Sequence, residues 1–335
     1  MTRHFLRDDD LSPAEQSAVL DLAAVMKAEP FSARPLAGPR TVAVLFDKPS
    51  LRTRVSFVAG VAELGGQTLV VDDVARQFGR GESVADIARI LGRHCAVVVR
   101  RTPDQAGLDV LAAHAGVPVV NALSDLVHPC QVLADLLTVR ERLGGTVGRT
   151  LAYVGDGANN MAHSYLLGGA LAGMHVRIGS PAGLAPEPAV FDRAAAIAAE
   201  TGGSVEVCTD PATAVGGADV VATDTWVSMG EAPDDGRKAA ALAPFAVTRA
   251  LLSDAAPGVL VLHCLPAYRG LEIEAAVLDA PDSAVWDEAE NRRHAQKALL
   301  AFLLDPAALV PAAVEPDALG PDAPVVGAAP TGQSW

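Results

Sequence analysis

Phe46-Asp47-Lys48-Pro49-Ser50-Leu51-Arg52-Thr53-Arg54 is the stretch on which the reading of this chain turns. Before it runs Thr41-Val42-Ala43-Val44-Leu45, apolar and rich in β-branched residues, which predicts a buried strand. After it, residues 55–64 carry apolar side chains at helical spacing and stop at Gly65-Gly66. A strand therefore feeds a short polar loop that opens a helix. That loop carries the hydroxyls of Ser50 and Thr53, the guanidiniums of Arg52 and Arg54, and the unpaired N–H groups of a helix N-terminus. Such groups together can hold a phosphate-like dianion. A basic surface loop closed by a helix cap would present the same residues, so the rest of the chain must decide.

Outward from this loop the same rhythm repeats. Ser12-Pro13-Ala14-Glu15 reads as a capping box opening an amphipathic helix to about Lys27. Further strands are expected at 68–71, 95–99, 118–121, 151–154, 175–178, 205–207, 220–223 and 259–262. Helices are expected at 83–91, from 132 to Gly144-Gly145, from 161, at 190–201, and at about 287–304. Alternating strands and helices argue for parallel sheets covered on both faces. The expected fold is α/β with two domains, residues 1–144 and 145–304, each a mainly parallel sheet flanked by helices. Ligands of such sheets sit at the carboxyl ends of strands, and every unusual polar cluster here follows a strand. One site in a cleft between the domains follows.

The chain has 335 residues, 50% of them hydrophobic, enough for a large core. A net charge of −14 argues against a nucleic-acid partner and leaves arginine clusters at strand ends to bind a small anion locally. Cys95, Cys130, Cys208 and Cys264 are scattered, which fits reduced thiols rather than disulfides or a zinc site. Neither a signal-peptide pattern nor a charge-free stretch of transmembrane length is evident, so a soluble cytoplasmic protein without a membrane partner is expected. Residues 305–335 are rich in Pro and Ala, hold four acidic residues and no Lys or Arg, and read as a disordered tail.

The remaining clusters have plain structural readings alongside functional ones. Gly155-Asp156-Gly157 resembles a dinucleotide turn, but Asn160 stands where a third glycine would be, and no ribose-binding acid follows Ile178. No nicotinamide cofactor is expected, and asparagines at a helix N-terminus suit a carboxylate ligand instead. His128 before Pro129 could be a helix cap, or could join Gln131 and Arg101 as a donor set for a carbonyl oxygen. His263-Cys264 has no second histidine or carboxylate at ligand spacing, so no metal is expected, and Cys264 reads as a contact residue rather than a nucleophile. Arg292 and Arg293 read as solvated helix residues on pattern alone.

Taken in order, Ser50-Leu51-Arg52-Thr53-Arg54, His128-Pro129-Cys130-Gln131, Asp224-Thr225-Trp226-Val227-Ser228-Met229-Gly230, His263-Cys264-Leu265-Pro266 and Asp287-Glu288-Ala289-Glu290-Asn291-Arg292 resemble the aspartate/ornithine carbamoyltransferase family, on its ornithine side. The motifs span nearly the whole chain except the tail. The resemblance implies transfer of a carbamoyl group from carbamoyl phosphate to the side-chain amine of L-ornithine, giving L-citrulline and phosphate in arginine biosynthesis. It implies a homotrimer or a multiple of one, and no cofactor. Ser50, the Leu51 backbone, Arg52, Thr53 and Arg292 would hold carbamoyl phosphate, and Gln77 would reach the phosphate of a neighbouring subunit. Arg101, His128 and Thr53 would polarise the carbonyl, and Gln131 would accept the carbamoyl amide protons. Asn160, Asp224, Ser228 and Met229 would hold the acceptor's α-substituents, with Cys264 and the Leu265 backbone lining its amine.

Two departures stand out: Leu51 where the family commonly has Thr, and Tyr268 where many bacterial members have His. A lost hydroxyl contact to phosphate would cost roughly 1.5–3 kcal/mol. The departures keep open an acceptor such as lysine, diaminopropionate or an N-acylated ornithine. A binding protein that kept the fold without turnover is a further alternative, which the intact carbonyl-polarising set argues against. An amine with a lysine-like pKa of about 10.4 must lose a proton before it attacks. The transfer rate is therefore expected to rise from about pH 7 to about pH 9, and a flat profile across that range would contradict the mechanism.

Overall fold

A computed structural model describes residues 2–74, 81–226, 236–281 and 283–306. Strand β1 (Thr41–Phe46) is buried at every position after the first, as its run of apolar side chains requires. It lies between β2 (Gln67–Asp72) and β3 (Val97–Arg101), with β4 (Val119–Leu123) beyond β3, in the order β2-β1-β3-β4. A second sheet has the order β7-β6-β5-β8-β9, from β5 (Thr150–Val154), β6 (His175–Gly179), β7 (Ser204–Cys208), β8 (Val220–Thr223) and β9 (Leu260–His263). Every pairing within both sheets is parallel. The fold is thus two parallel α/β sheets, as expected.

The helices around them include α1 (Pro13–Ala28), α2 (Leu51–Glu63), α3 (Val84–His94), α4 (Gln105–Ala115), α5 (Pro129–Leu143), α6 (Asn160–Leu171) and α7 (Pro188–Thr201). The last helix is Val285–Leu304. Several begin where their caps dictate. Ser12 Oγ accepts the Glu15 N–H at 3.3 Å while Glu15 Oε2 accepts the Ser12 N–H at 2.9 Å. Asn159 and Asp104 cap α6 and α4 in the same way. Helix α2 starts at Leu51, earlier than the apolar spacing suggested, because Ser50 Oγ accepts the Thr53 N–H and turns the arginine loop itself into the first helical turn. Strand β3 runs on to Arg101, past the expected end at 99, because β1 pairs with it as far as Phe46.

Two features of this topology place the site. In each sheet the chain leaves a central strand in both directions, at β1/β3 in one and at β5/β8 in the other. The crevice at such a switch point is where open α/β sheets hold ligands. The last helix, meanwhile, follows the second sheet in sequence but returns to pack on α1, α2 and α5 of the first half. One apolar core runs through both halves, joining Phe46, Phe57 and Leu133 to Tyr153, Tyr165 and Leu299. Among the described residues, no helix is long and apolar enough to cross a membrane. The expected tail lies outside the described residues from 307 onward. The four cysteines are free thiols.

Close helix approach makes one glycine indispensable. A Cβ on Gly92 of α3 would lie 1.7 Å from the Ala115 carbonyl oxygen at the end of α4, a backbone atom that cannot step aside. Gly92→Ala is expected to cost at least about 2 kcal/mol, the scale of overpacking penalties, despite alanine's better helix propensity. Urea denaturation of both proteins checks it; equal midpoints would show that the helices separate freely.

Candidate active site

The carboxyl ends of the two sheets face each other across a cleft of about 470 Å³. On the first side, Ser50, Arg52 and Thr53 come from the N-terminus of α2, Arg101 from the end of β3, and His128 from the N-cap of α5. Asp156, Asn159, Asn160, Asp224, Cys264 and Leu265 line the other side. The fold thus gathers Ser50, Arg52, Thr53, Arg101, His128, Asn160, Asp224, Cys264, Leu265 and Arg292 into one lining. Gln131 lies just behind it, bonded to Arg292. Gln77, Ser228 and Met229 lie outside the described residues.

Thr53 is the hub on the anion side. Its Oγ1 accepts from Ser50 Oγ at 3.1 Å, from Arg292 Nη2 at 3.1 Å and from Arg101 Nη1 at 3.4 Å. Arg292 also donates from Nη1 to Gln131 Oε1 and, at 3.5 Å, to His128 Nε2. The surface reading of Arg292 is therefore corrected: it is 2% exposed, because the last helix returns across the first half and turns this face inward. Arg293 keeps the surface character, pairing with Glu63 and Glu290. Strand alternation separates Arg101 from its neighbour, since Arg100 points away to a buried ion pair with Asp47 at 2.9 Å. Leu51 does not line the cleft. Its side chain is 75% exposed, on the helix face it shares with exposed Val55 and Val58.

These positive groups stand close enough to act on one another. Burial, then the charges of Arg292 and Arg52, lower the Arg101 guanidinium to about 10. Burial foremost, with Arg292, Arg101 and Arg52 adding, pushes His128 well below the ordinary histidine value. His128 is therefore a neutral imidazole. Its backbone N–H donates to Ser164 Oγ at 2.8 Å, and Ser164 Oγ donates to buried Asp8 at 2.7 Å, which fixes the ring's base. The side chain makes no cap bond, so the capping alternative for it is set aside.

Across the cleft, Asp224 Oδ1 accepts from the Cys264 thiol at 3.0 Å and from the Thr225 N–H at 2.7 Å. Burial, reinforced by Asp224, raises the Cys264 thiol well above its ordinary value, so it stands as a neutral donor rather than a thiolate. Asn160 reaches over the cleft floor, donating from Nδ2 to the Ser124 carbonyl at 2.6 Å. Leu265 holds a positive φ of 57°, a strained conformation for a branched residue, and donates its N–H to His263 Nδ1 at 2.9 Å.

Sequence spacing missed two things. Asp224 joins His263 and Cys264 in a cluster with ligand atoms within 4.8 Å of one another, a carboxylate supplied by the neighbouring strand β8 rather than by nearby sequence. Both imidazole nitrogens of His263 already have partners, Leu265 N–H and Glu272 Oε1, and the Cys264 proton is held by Asp224. The second is Lys238, which lines the cleft and pairs with Asp156 at 2.7 Å. It sits in a stretch that reads only as hydrophilic, with no motif to single it out.

Fold and site together define a two-sheet α/β protein that gathers guanidiniums at one switch point, opposite a polar pocket at the other. The family model for the aspartate/ornithine carbamoyltransferase carbamoyl-P binding domain matches residues 3–141, and that for the Asp/Orn binding domain matches residues 147–303. An ornithine carbamoyltransferase of Leifsonia xyli is 60% identical over 304 residues, covering 91% of this chain and 97% of that protein. Crystal structures of ornithine carbamoyltransferase from Gloeobacter violaceus (44% identity, TM-score 0.82, 90% of this chain and 98% of that one) and Pyrococcus furiosus (42%, 0.85, 90% and 96%) share the fold. The chain belongs to the aspartate/ornithine carbamoyltransferase family.

A neutral His128 should not titrate where free histidines do. Its imidazole NMR shifts are expected to stay flat from about pH 5.5 to about pH 8, a range that brackets the ordinary value of about 6.5. A midpoint inside that window would show that the arginines do not hold the ring neutral.

Proposed function

We propose that this chain transfers the carbamoyl group of carbamoyl phosphate to the side-chain amine of L-ornithine, forming L-citrulline and phosphate in arginine biosynthesis. The observation that carries the reading is the convergence of Arg101, Arg292 and Ser50 on Thr53 at the N-terminus of α2, opposite Asp224 and Asn160. The relatives named ornithine carbamoyltransferase support the choice of acceptor.

The phosphate of carbamoyl phosphate sits on the α2 N-terminus, held by Ser50, Arg52, Thr53 and the Leu51 backbone, where N–H groups and the helix dipole favour negative charge. Arg101, neutral His128 and Thr53 address the carbamoyl oxygen, and Gln131 accepts from the carbamoyl nitrogen. Asp224 and Asn160, with Ser228 and Met229, hold the α-substituents of ornithine, while Cys264 and Leu265 border its side-chain amine. That amine attacks the carbamoyl carbon as the neutral base. Negative charge collects on the carbonyl oxygen, where Arg101 stabilises it; the carbamoyl C–O bond then breaks, and the departing phosphate, received by Arg52 and Arg292, takes the proton that the attacking nitrogen sheds. Cleft geometry supplies the proximity term.

Residues 1–144 form the carbamoyl phosphate domain and 145–304 the ornithine domain in this reading. Assembly as a homotrimer, with Gln77 entering the neighbouring site, is supported by the exposed apolar row Leu51, Val55 and Val58 on α2 with Leu69 beside it on β2. A cytoplasmic setting goes with these substrates.

The deciding assay is citrulline and phosphate formation with L-ornithine, run beside lysine, 2,3-diaminopropionate and N-acetylornithine. Strong preference for ornithine is expected, and preference for another amine would overturn the acceptor assignment. Arg101→Ala should lower kcat by about 10²-fold or more, the usual loss for an oxyanion donor, with the KM for ornithine little changed.

A further inference from the structure

Two carboxyl groups meet directly behind the cleft, and no step above uses them. Asp135 stands one turn after Gln131 on α5, and Glu288 stands one turn before Arg292 on the last helix, so each shares a helix face with a group at the site. They are 1% and 0% exposed, and both carboxyls reach the same amide nitrogen. Their partners are donors. Gln131 Nε2 donates to Asp135 Oδ1 at 2.8 Å and to Glu288 Oε1 at 2.9 Å. Tyr165 Oη donates to Asp135 Oδ2 at 2.7 Å, and the His263 N–H donates to Glu288 Oε2 at 2.8 Å.

Two buried carboxyl groups that share one amide nitrogen bring like charges too close for both to be ionised, so one of them carries a proton. Burial raises Asp135 to about 6 and Glu288 well above its ordinary range, the latter with Asp135 as the next cause. The groups facing the pair are Tyr165 from α6, Cys264 beyond β9 and Arg292 on the last helix. Burial holds the first two in their neutral forms, so the single charge on the pair stands against Arg292.

The consequence falls on Gln131. An amide can present either its carbonyl or its NH₂ to a given neighbour. Here both amide hydrogens are held by the carboxyl pair, so the oxygen must face Arg292, and it accepts from that guanidinium. A reversed amide would set NH₂ against a guanidinium and offer the carbamoyl nitrogen no acceptor. Resting on the carbamoyl-transfer reading, we propose that Asp135 and Glu288 are a proton-sharing positioning pair that holds both amide hydrogens of Gln131 and so keeps its carbonyl aimed at the carbamoyl –NH₂.

A double-mutant cycle tests it. Asp135→Asn is expected to lower kcat/KM for carbamoyl phosphate by about tenfold or more in the native background, the scale of a misplaced substrate contact. In a Gln131→Ala background the same substitution should change it by less than about twofold, because the pair acts through Gln131. Equal losses in both backgrounds, or no loss in the native one, would overturn the proposal. Should Asp135→Asn fail to fold, Glu288→Gln takes its place in the cycle, its amide oxygen still able to accept from His263. The infrared difference between wild type and the variant at about pH 7 should show loss of one protonated carboxylic acid, and its absence would refute the shared proton. Citrulline formation by the wild type, measured in the same series, separates failure of the functional reading from failure of this one.

Discussion

Much of this molecule depends on keeping guanidiniums together around one hydroxyl. Thr53 Oγ1 takes hydrogen bonds from both Arg101 and Arg292, and the depression of Arg101 to about 10 records the cost in burial and mutual repulsion. Such an arrangement persists only if the surrounding elements over-determine it. Strand β3 fixes Arg101 by pairing with β1, the Ser50 cap fixes Thr53, and the last helix carries Arg292 across the first half. A site built this way holds its cations in fixed positions, which limits the reorganisation left for the moment of a reaction.

The two halves contribute opposite chemistry for a topological reason. Each sheet places one switch point at the cleft, so loops after β1 and β3 meet loops after β5, β8 and β9. The first set is rich in cations. The second offers two buried carboxyl groups, a thiol and asparagines, with Asp156 held by its ion pair to Lys238 and Asp224 by the Cys264 thiol. Asp224 and Cys264 satisfy each other, which lowers the cost of keeping both out of water. The core running through α5, α6 and the last helix holds the halves in register.

Much of the fold was legible because parallel buried strands announce themselves as short apolar, β-branched runs followed by polar turns. The Ser50 loop, the capping box at Ser12 and the strand-end positions of Arg101, Asp224 and Cys264 could be read in this way. Boundaries were less legible where a cap or a pairing partner decides them, as at Leu51 and at Arg101. Arg292 was legible only through resemblance: its helix is buried on nearly every side, so the apolar periodicity that separates inside from outside is lost. Lys238 and Asp135 left no mark at all, and Glu288 entered only inside a longer motif, because a single lysine or carboxylate on a helix has the same local pattern whether buried or solvated.

By itself, the sequence determined the alternation of strands and helices, the capping that starts them, and the placement of polar clusters at strand ends, because these depend on neighbours a few residues apart. Tertiary structure alone decided which of those clusters meet. It brought Asp224 to His263 and Cys264 by pairing β8 with β9, and it left the Leu51 side chain outside the cleft. Carrying the last helix back across the first half, it buried Arg292 and set Glu288 against Asp135. Those contacts join residues 40 to more than 200 positions apart, and their energies come from burial and charge, which no local pattern encodes.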